Sequence, residues 1–159
     1  MITQTTLCIE YAHRFLEHTG EAQYLHGHHG ELTVEVEGTP DERGFIVPVG
    51  EIKKILWDYM RNFDHALLLQ DTDPLLPVVL AIYEKQGILH GAPDNTNTGV
   101  KFKSEFAEVM PECRLVITKK ITTVENMLEI FYAYLKDRLN IKRMRFQSKD
   151  DVVAVLEVK

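Results

Sequence analysis

Two histidines separated by one glycine are the residues of this chain best suited to chemistry. The stretch His26-Gly27-His28-His29 holds three of the seven histidines in the sequence. Side chains two apart in an extended strand point to the same face, so His26 and His28 can reach one ion while His29 points away. A catalytic zinc ion commonly takes three protein ligands and leaves one position for water or substrate. The motif therefore predicts a metal site that needs one more ligand from elsewhere.

His13 is the best candidate for that third ligand. It ends a strand predicted at 3–13, where β-branched residues alternate loosely with polar ones. The strand predicted at 31–37 alternates strictly between apolar and polar residues, which is typical of a half-buried antiparallel strand. A hairpin between these segments returns the chain beside His13. The alternative interpretation is a surface turn that is merely rich in histidine.

The elements that must position these histidines are a mixture of helices and strands. Apolar residues recur at helical spacing at 50–62 and 123–139, and Thr122 with Glu125 fits a capping box before the second of these helices. A further helix at 75–87 ends at Gly87. Helices that cover one face of an antiparallel sheet make the predicted fold α+β. The remaining strands are predicted at 45–49, 100–103, 114–118, 141–147 and 151–158.

Composition and charge bound the classes of protein to which this chain can belong. A length of 159 residues predicts a single domain over 1–159. The net charge of −6 argues against a nucleic-acid partner, because phosphate neutralisation needs a basic face. Short apolar runs and an N-terminus without a signal-peptide pattern argue against a membrane and for a cytoplasmic protein. Two cysteines, Cys8 and Cys113, are too few for a disulfide framework.

Four segments in this order resemble the 6-pyruvoyl-tetrahydropterin synthase / 6-carboxytetrahydropterin synthase family. They carry the motifs IEYAHRF, LHGHHG, NFDHALLL and TTVEN, and the combination is far more specific than any single piece. The resemblance covers about 1–70 and 114–158, which leaves 70–113 as a predicted insertion. The four segments are 9–15, 25–30, 62–69 and 122–126.

The resemblance implies a tunnelling fold (T-fold), with a four-stranded antiparallel sheet, two helices on one face, and subunits assembled as trimers or hexamers. It implies a Zn²⁺ ion bound by His13, His26 and His28, the same three histidines that strand geometry selects. It also implies a small-molecule pterin substrate, 7,8-dihydroneopterin triphosphate, which loses triphosphate while its side chain is rearranged or cleaved. In the family an Asp-His pair tunes the proton-transfer step, and the matching residues are Asp64 and His65. A cap at the end of the preceding helix is the alternative role for this pair.

Two positions depart from the family pattern. The family's proton-abstracting cysteine corresponds to Ala22, which has no proton chemistry, and the neighbouring Glu21 is the candidate replacement. The family's pterin-anchoring glutamate aligns with Gln147, whose amide offers one acceptor and one donor where a carboxylate accepts two hydrogen bonds. Thr123 and Glu125 match the family's threonine and glutamate at the pterin pocket, although a helix cap would also explain the latter.

These residues support two hypotheses about function. The first is a zinc-dependent carbon–oxygen lyase that makes 6-carboxytetrahydropterin, as in the bacterial deazapurine (queuosine) pathway, or 6-pyruvoyltetrahydropterin, with the first product favoured. The second is a non-catalytic or repurposed homologue that holds zinc and binds a pterin or purine. The second hypothesis rests on Ala22 and Gln147.

Overall fold

A computed structural model describes residues 1–87, 102–148 and 152–159 as one sheet flanked by helices. The described helices are α1 (Val49–Met60), α2 (Leu75–Lys85) and α3 (Val124–Leu135). The described strands are β1 (Ile2–His13), β2 (His26–Glu37), β3 (Ala66–Gln70), β4 (Phe102–Lys103), β5 (Ala107–Met110), β6 (Leu115–Thr118), β7 (Ile141–Ser148) and β8 (Val153–Glu157).

The sheet has the strand order β4-β5-β6-β3-β1-β2-β7-β8 in the part of the chain that the structure describes. Strands β1, β2, β7 and β8 are antiparallel neighbours, whereas β3 runs parallel to both β1 and β6. The α+β T-fold prediction is confirmed, but the predicted four strands correspond to only one half of the sheet. The other half is built from strands of two to five residues, which are too short to show a clear periodicity in sequence.

The long β1–β2 hairpin is the frame of the molecule. Its register pairs Ile2 with Glu37 at the open end and His13 with His26 at the other. Alternation along both strands sends apolar side chains such as Ile9, Leu32 and Val34 into the core, where each is at most 1% exposed. The register therefore brings the predicted metal ligands together at the end of the hairpin where the chain passes from β1 to β2.

Helices cover both faces of the sheet. Helices α1 and α3 pack over the face that carries Leu68 and Val116, and the Tyr59 ring of α1 stacks on Tyr134 of α3 at 3.9 Å between ring centroids. Helix α2 packs on the opposite face, against Leu69. Two helices on one face were predicted, and the third helix adds a second, smaller core. No helix in the described ranges is long and apolar enough to cross a membrane.

Three predicted elements need correction, the first being β2, which begins at His26 and not at 31. Residues 45–49 form no strand, because Pro48 lacks a ladder N–H and caps α1 instead, while Ile46 and Val47 pack against the core from a loop. Helix α3 ends at Leu135, although Leu139 is still buried beyond it. Helix α2 ends close to its predicted stop, with Gly87 at a φ of 72°. Residues 100, 101 and 151 of two predicted strands lie outside the described residues.

The described part of 70–113 is built into the sheet. Strands β4 and β5 extend the sheet beyond β6. An ion pair anchors the beginning of α2. Asp73, whose side chain is 1% exposed, binds both Arg14 Nε at 2.9 Å and Arg14 Nη2 at 2.5 Å. Because Arg14 follows His13 directly, this pair fixes the segment to the end of β1. The description of 70–113 as an insertion relative to other family members stays a prediction.

Candidate metal and substrate site

Three histidine rings converge at the end of the β1–β2 hairpin. The nitrogens that His13, His26 and His28 offer as ligands all lie within 4.8 Å of one another. The ring centroids are 4.7 Å apart for His13 and His26, 4.9 Å for His13 and His28, and 4.8 Å for His26 and His28. We call these three residues the histidine trio. Side chains alternate between the two faces of a strand, and we call this alternation strand parity. The structure thus brings together the three residues that strand parity and the hairpin register select.

The hydrogen bonds of His13 and His26 leave one ring nitrogen of each for a metal ion. His13 Nδ1 lies 2.7 Å from Thr122 Oγ1, and His26 Nδ1 lies 2.7 Å from the carbonyl oxygen of Tyr24. When those Nδ1 atoms carry the proton, each ring presents Nε2 as a lone pair. His13 Nε2 is buried without a hydrogen-bond partner among the described residues, which is costly unless an ion or ligand binds it.

The neutral form of the His13 ring also suits the binding of a cation. Burial, with the neighbouring His28 and His26 in support, lowers the pKa of His13 from 6.5 to about 3. The imidazole is therefore neutral across the physiological range, as a metal ligand must be. A neutral His13 imidazole with a buried unsatisfied nitrogen, beside two further imidazoles, fits a zinc ion that keeps an open coordination position.

A cleft of about 560 Å³ opens beside the trio, and we call it the near cleft. Thr123 and Glu125 reach it from the N-terminus of α3, and Glu21 reaches it from a short 3₁₀ turn that precedes β2. Ala22 lines the same cleft. Thr123 also caps α3, because its side chain accepts the Asn126 N–H at 3.3 Å. Three residues predicted from sequence, Glu21, Thr123 and Glu125, thus lie in one cleft with the trio.

A second cleft, of about 930 Å³, lies between α2 and the β1–β2 hairpin, and we call it the far cleft. His65 lines it together with Glu10, His29 and Arg114. Asp64 Oδ2 lies 2.9 Å from His65 Nδ1, and Asp64 Oδ1 accepts the Glu10 N–H at 3.0 Å. The predicted Asp64–His65 pair is therefore formed. Within one chain His65 faces the far cleft, and among the described residues only Tyr11 and His28 line both clefts.

Gln147 lies away from the trio. It pairs with Glu31 across the β2–β7 ladder and accepts a hydrogen bond from Arg145. Its neighbour Ser148 lines the near cleft instead. Alternate side chains of β7 point to opposite faces, and Gln147 is on the face away from the trio, so within one chain it does not line the near cleft. The predicted contact of Gln147 with a substrate stays a prediction. Cys8 is on that other face too, opposite Glu31, where burial and Glu31 raise its thiol pKa.

Sequence reasoning missed the pairing of Glu10 with His29. Glu10 Oε1 lies 2.6 Å from His29 Nδ1, and the pair lines the far cleft. The signal was available, since a register that pairs His13 with His26 must also pair Glu10 with His29. Tyr11 was missed as well. Its ring packs against His13 and His28, and it leans over Gly30, where a Cβ atom would lie 2.9 Å from it.

Comparisons with known proteins agree with this architecture. The family model for 6-pyruvoyl tetrahydropterin synthase matches residues 3–158. A 6-carboxy-5,6,7,8-tetrahydropterin synthase of Rickettsia bellii is 33% identical over 99 residues, which are 59% of this chain and 71% of that protein.

Solved structures share the fold at low sequence identity. The 6-pyruvoyl tetrahydropterin synthase of Caenorhabditis elegans superposes with a TM-score of 0.63 at 14% identity, over 100% of this chain and 96% of that one. The Plasmodium vivax 6-pyruvoyltetrahydropterin synthase, solved with a catalytic glutamate replaced by alanine, gives a TM-score of 0.55 at 14% identity, over 100% and 99%. From the family match across nearly the whole chain and the fold that these structures share, this chain belongs to the 6-pyruvoyl tetrahydropterin synthase family.

Proposed function

We propose that this protein is a zinc-dependent carbon–oxygen lyase that acts on 7,8-dihydroneopterin triphosphate. The observation that carries the proposal is the buried, unpartnered Nε2 of His13 beside two further imidazoles at the head of a cleft. His13, His26 and His28 would hold the zinc ion. Bound there, zinc would supply Lewis acidity to the hydroxyl groups of the substrate side chain and lower their pKa.

Glu21 is the residue of this chain that would remove the carbon-bound proton. Its carboxylate is the proton acceptor nearest in sequence to Ala22, where the family's cysteine is absent. Glu21 lines the near cleft with the trio, so a substrate bound there is within its reach. A glutamate is also a catalytic residue of the P. vivax relative. This parallel supports the replacement of the cysteine by a carboxylate.

The rest of the near cleft would bind the pterin ring. Glu125 offers a carboxylate that can accept two hydrogen bonds from the amino-pyrimidinone edge, the role for which Gln147 is badly placed. The hydroxyls of Thr123 and Ser148 line the same cleft. Asp64 and His65 would tune the proton-transfer step, the role that the family's Asp-His pair has, and His65 lines the far cleft together with His28.

Of the two products, 6-carboxytetrahydropterin is favoured. The relative from R. bellii that aligns with this chain is a 6-carboxy-5,6,7,8-tetrahydropterin synthase. We place the protein accordingly in the deazapurine (queuosine) branch of pterin metabolism, as a homo-oligomer in the cytoplasm.

The proposal is tested by mass spectrometry of products after zinc-loaded protein is mixed with 7,8-dihydroneopterin triphosphate. We expect a 6-carboxy product and free triphosphate, both abolished by a chelator and restored by added zinc. Unchanged substrate with folded, zinc-loaded protein would overturn the lyase proposal and favour a homologue that binds pterins without turning them over.

A further inference from the structure

The Tyr11 side chain lies where the hydrophobic core meets the histidine trio. Tyr11 pairs with His28 across the β1–β2 ladder and is 4% exposed. Its ring meets the His13 ring edge-on, at 5.3 Å between centroids, and lies tilted against the His28 ring at 5.7 Å. One aromatic side chain therefore packs against two of the three rings that a zinc ion would join.

Gly30 provides the space in which the Tyr11 ring lies. Gly30 is buried on β2, two residues after His28 and on the same face of the strand. A Cβ atom added to Gly30 would lie 2.9 Å from Tyr11 Cε1 and 2.7 Å from Phe146 Cζ, well inside van der Waals contact. The φ of Gly30 is not positive, so the need for glycine at this position comes from space and not from backbone conformation.

We propose that Tyr11 is a positioning residue of the metal centre, and that its ring, seated over Gly30, fixes the place of His28 beside His13. The inference rests on the proposed function for the zinc ion that these rings would share. Hydrogen bonds to Nδ1 orient the other two rings of the trio. Packing against Tyr11 restricts the His28 ring in a corresponding way.

The Tyr11 ring is itself supported by the core. Phe146 of β7 is fully buried, and its ring centroid lies 6.3 Å from that of Tyr11. Phe146 packs in turn on Phe131 of α3, at 5.2 Å between ring centroids. Close packing holds such side chains in single rotamers. A ligand histidine that rests on this support is pre-organised, so less conformational freedom is lost when the ion binds.

The test measures zinc affinity by competition with a chromophoric chelator, in the full-length protein and in variants at this contact. Tyr11→Ala and Gly30→Ala should each lower the affinity about tenfold to a hundredfold, the range for loss of a group that orients a ligand histidine. Tyr11→Phe keeps the ring and should retain the wild-type affinity. Gly27→Ala is the matched control, because a Cβ atom at Gly27 would have the Tyr11 carbonyl oxygen as its nearest neighbour, at an ordinary 3.7 Å.

Two further measurements separate positioning from general destabilisation. Cobalt(II) in place of zinc gives a visible spectrum that reports the geometry of the ligands, and this spectrum should change in Tyr11→Ala and in Gly30→Ala. Val36 is buried at the open end of the same hairpin, where it pairs with Thr3. Val36→Ala should therefore lower the free energy of unfolding and leave the zinc affinity and the cobalt spectrum unchanged. The double variant Tyr11→Ala/Gly30→Ala should bind zinc as tightly as Tyr11→Ala, because both changes act through one ring.

Wild-type zinc affinity in Tyr11→Ala, or an equal loss of affinity in Val36→Ala, would overturn the positioning role. Product analysis keeps this result separate from the proposed function. Zinc affinity that depends on Tyr11 in a protein without lyase activity would overturn the lyase and keep the positioning role. Lyase activity in the wild type, with a zinc affinity and a cobalt spectrum that Tyr11→Ala leaves unchanged, would overturn the positioning role and keep the lyase.

Discussion

Thr122 sets the orientation of the most buried ligand of the trio. Its hydroxyl is the one hydrogen-bond partner of the His13 ring in the described structure, at 2.7 Å from Nδ1. Thr122→Val keeps the shape of the side chain and removes this partner. We expect zinc affinity to fall about tenfold to a hundredfold, as for other losses of a hydrogen bond to a ligand histidine. Competition with a chromophoric chelator measures this affinity.

The neighbouring residue provides the matched control. Thr123→Ala removes the cap of α3 and should cost about 1 kcal/mol in the free energy of unfolding, with zinc affinity unchanged. Equal zinc affinity in Thr122→Val and the wild type would show that Thr122 does not orient His13.

Glu21 carries the clearest catalytic prediction. Glu21→Gln removes the proton acceptor with little change in shape, so kcat should fall about 10²- to 10⁴-fold, while zinc remains bound at one ion per chain. Stopped assays of triphosphate release measure the rate. Glu17→Gln is the control, because Glu17 is exposed on the same loop and does not line the near cleft. A rate for Glu21→Gln within twofold of the wild type would remove Glu21 from the mechanism.

Strand parity decides which site residues could be predicted from sequence. Parity places His26 and His28 on one face, and a hairpin adds His13, because these relations depend only on local geometry. Parity also puts Gln147 on the face away from the trio, and an alignment of motifs alone does not reveal this. Arg114 could not be found in this way, since its place in the far cleft follows from the parallel pairing of β3 with β6, between residues far apart in sequence.

At the scale of elements, the Arg14–Asp73 pair joins α2 to the end of β1. Asp73 also accepts the Leu75 N–H at 2.7 Å, so one buried carboxylate holds both Arg14 and the first turn of α2. Asp73→Asn should lower the free energy of unfolding by about 3 kcal/mol at pH 7, because it leaves the guanidinium without its counter-charge. Urea denaturation measures this loss. Asp58→Asn, which breaks an exposed pair with Lys54, should cost about 0.5 kcal/mol or less.

The effect of Asp73→Asn should depend on pH in a defined direction. Although burial opposes ionisation, the hydrogen bonds from Arg14 and the Leu75 N–H hold the pKa of Asp73 below its usual 3.8. A carboxyl whose folded-state pKa is lowered stabilises the fold above its ordinary pKa, and this stability is lost as the pH falls through the folded value. The difference between the variant and the wild type should therefore shrink below about pH 4. A difference that is constant down to pH 2 would contradict the ion pair.

The long elements were predictable, and of the short strands β4 and β6 were predicted near their observed positions whereas β3 and β5 were not. The β1–β2 hairpin, α1 and α3 each present about 12 residues of clear periodicity. Strands β3 and β5 have five residues or fewer, and their pairing depends on partners elsewhere in the chain. The wrongly predicted strand at 45–49 has apolar residues typical of a strand, but Pro48 is the N-cap of α1, which begins at Val49.

At the scale of the whole molecule, one face of the β1-β2-β7-β8 half of the sheet lies open. Over β1, β2, β7 and β8, the face opposite α1 and α3 is covered by no helix in the described ranges. Val153 and Val155 are exposed on β8, and the side chains of Glu35 and Arg143 lie across the same face. An open face with mixed apolar and paired charged residues suits association with further copies of the chain.

We accordingly predict a trimer or a hexamer. Native mass spectrometry should give three or six times the chain mass of 18.3 kDa. Val155→Glu should shift the distribution towards smaller species, because it adds charge to a surface that association would bury. Lys53→Glu, on the exposed side of α1, is the control and should leave the mass unchanged. A wild-type protein that is monomeric at micromolar concentration would contradict this arrangement.

The measurement that tests the account most directly is the zinc content of two adjacent histidine variants, by inductively coupled plasma mass spectrometry. His28 belongs to the trio, whereas His29 points to the other face and pairs with Glu10. The account predicts one zinc ion per chain in the wild type and in His29→Ala, and loss of zinc in His28→Ala. Full zinc content in His28→Ala, or loss in His29→Ala alone, would contradict the assignment of the metal centre to the trio.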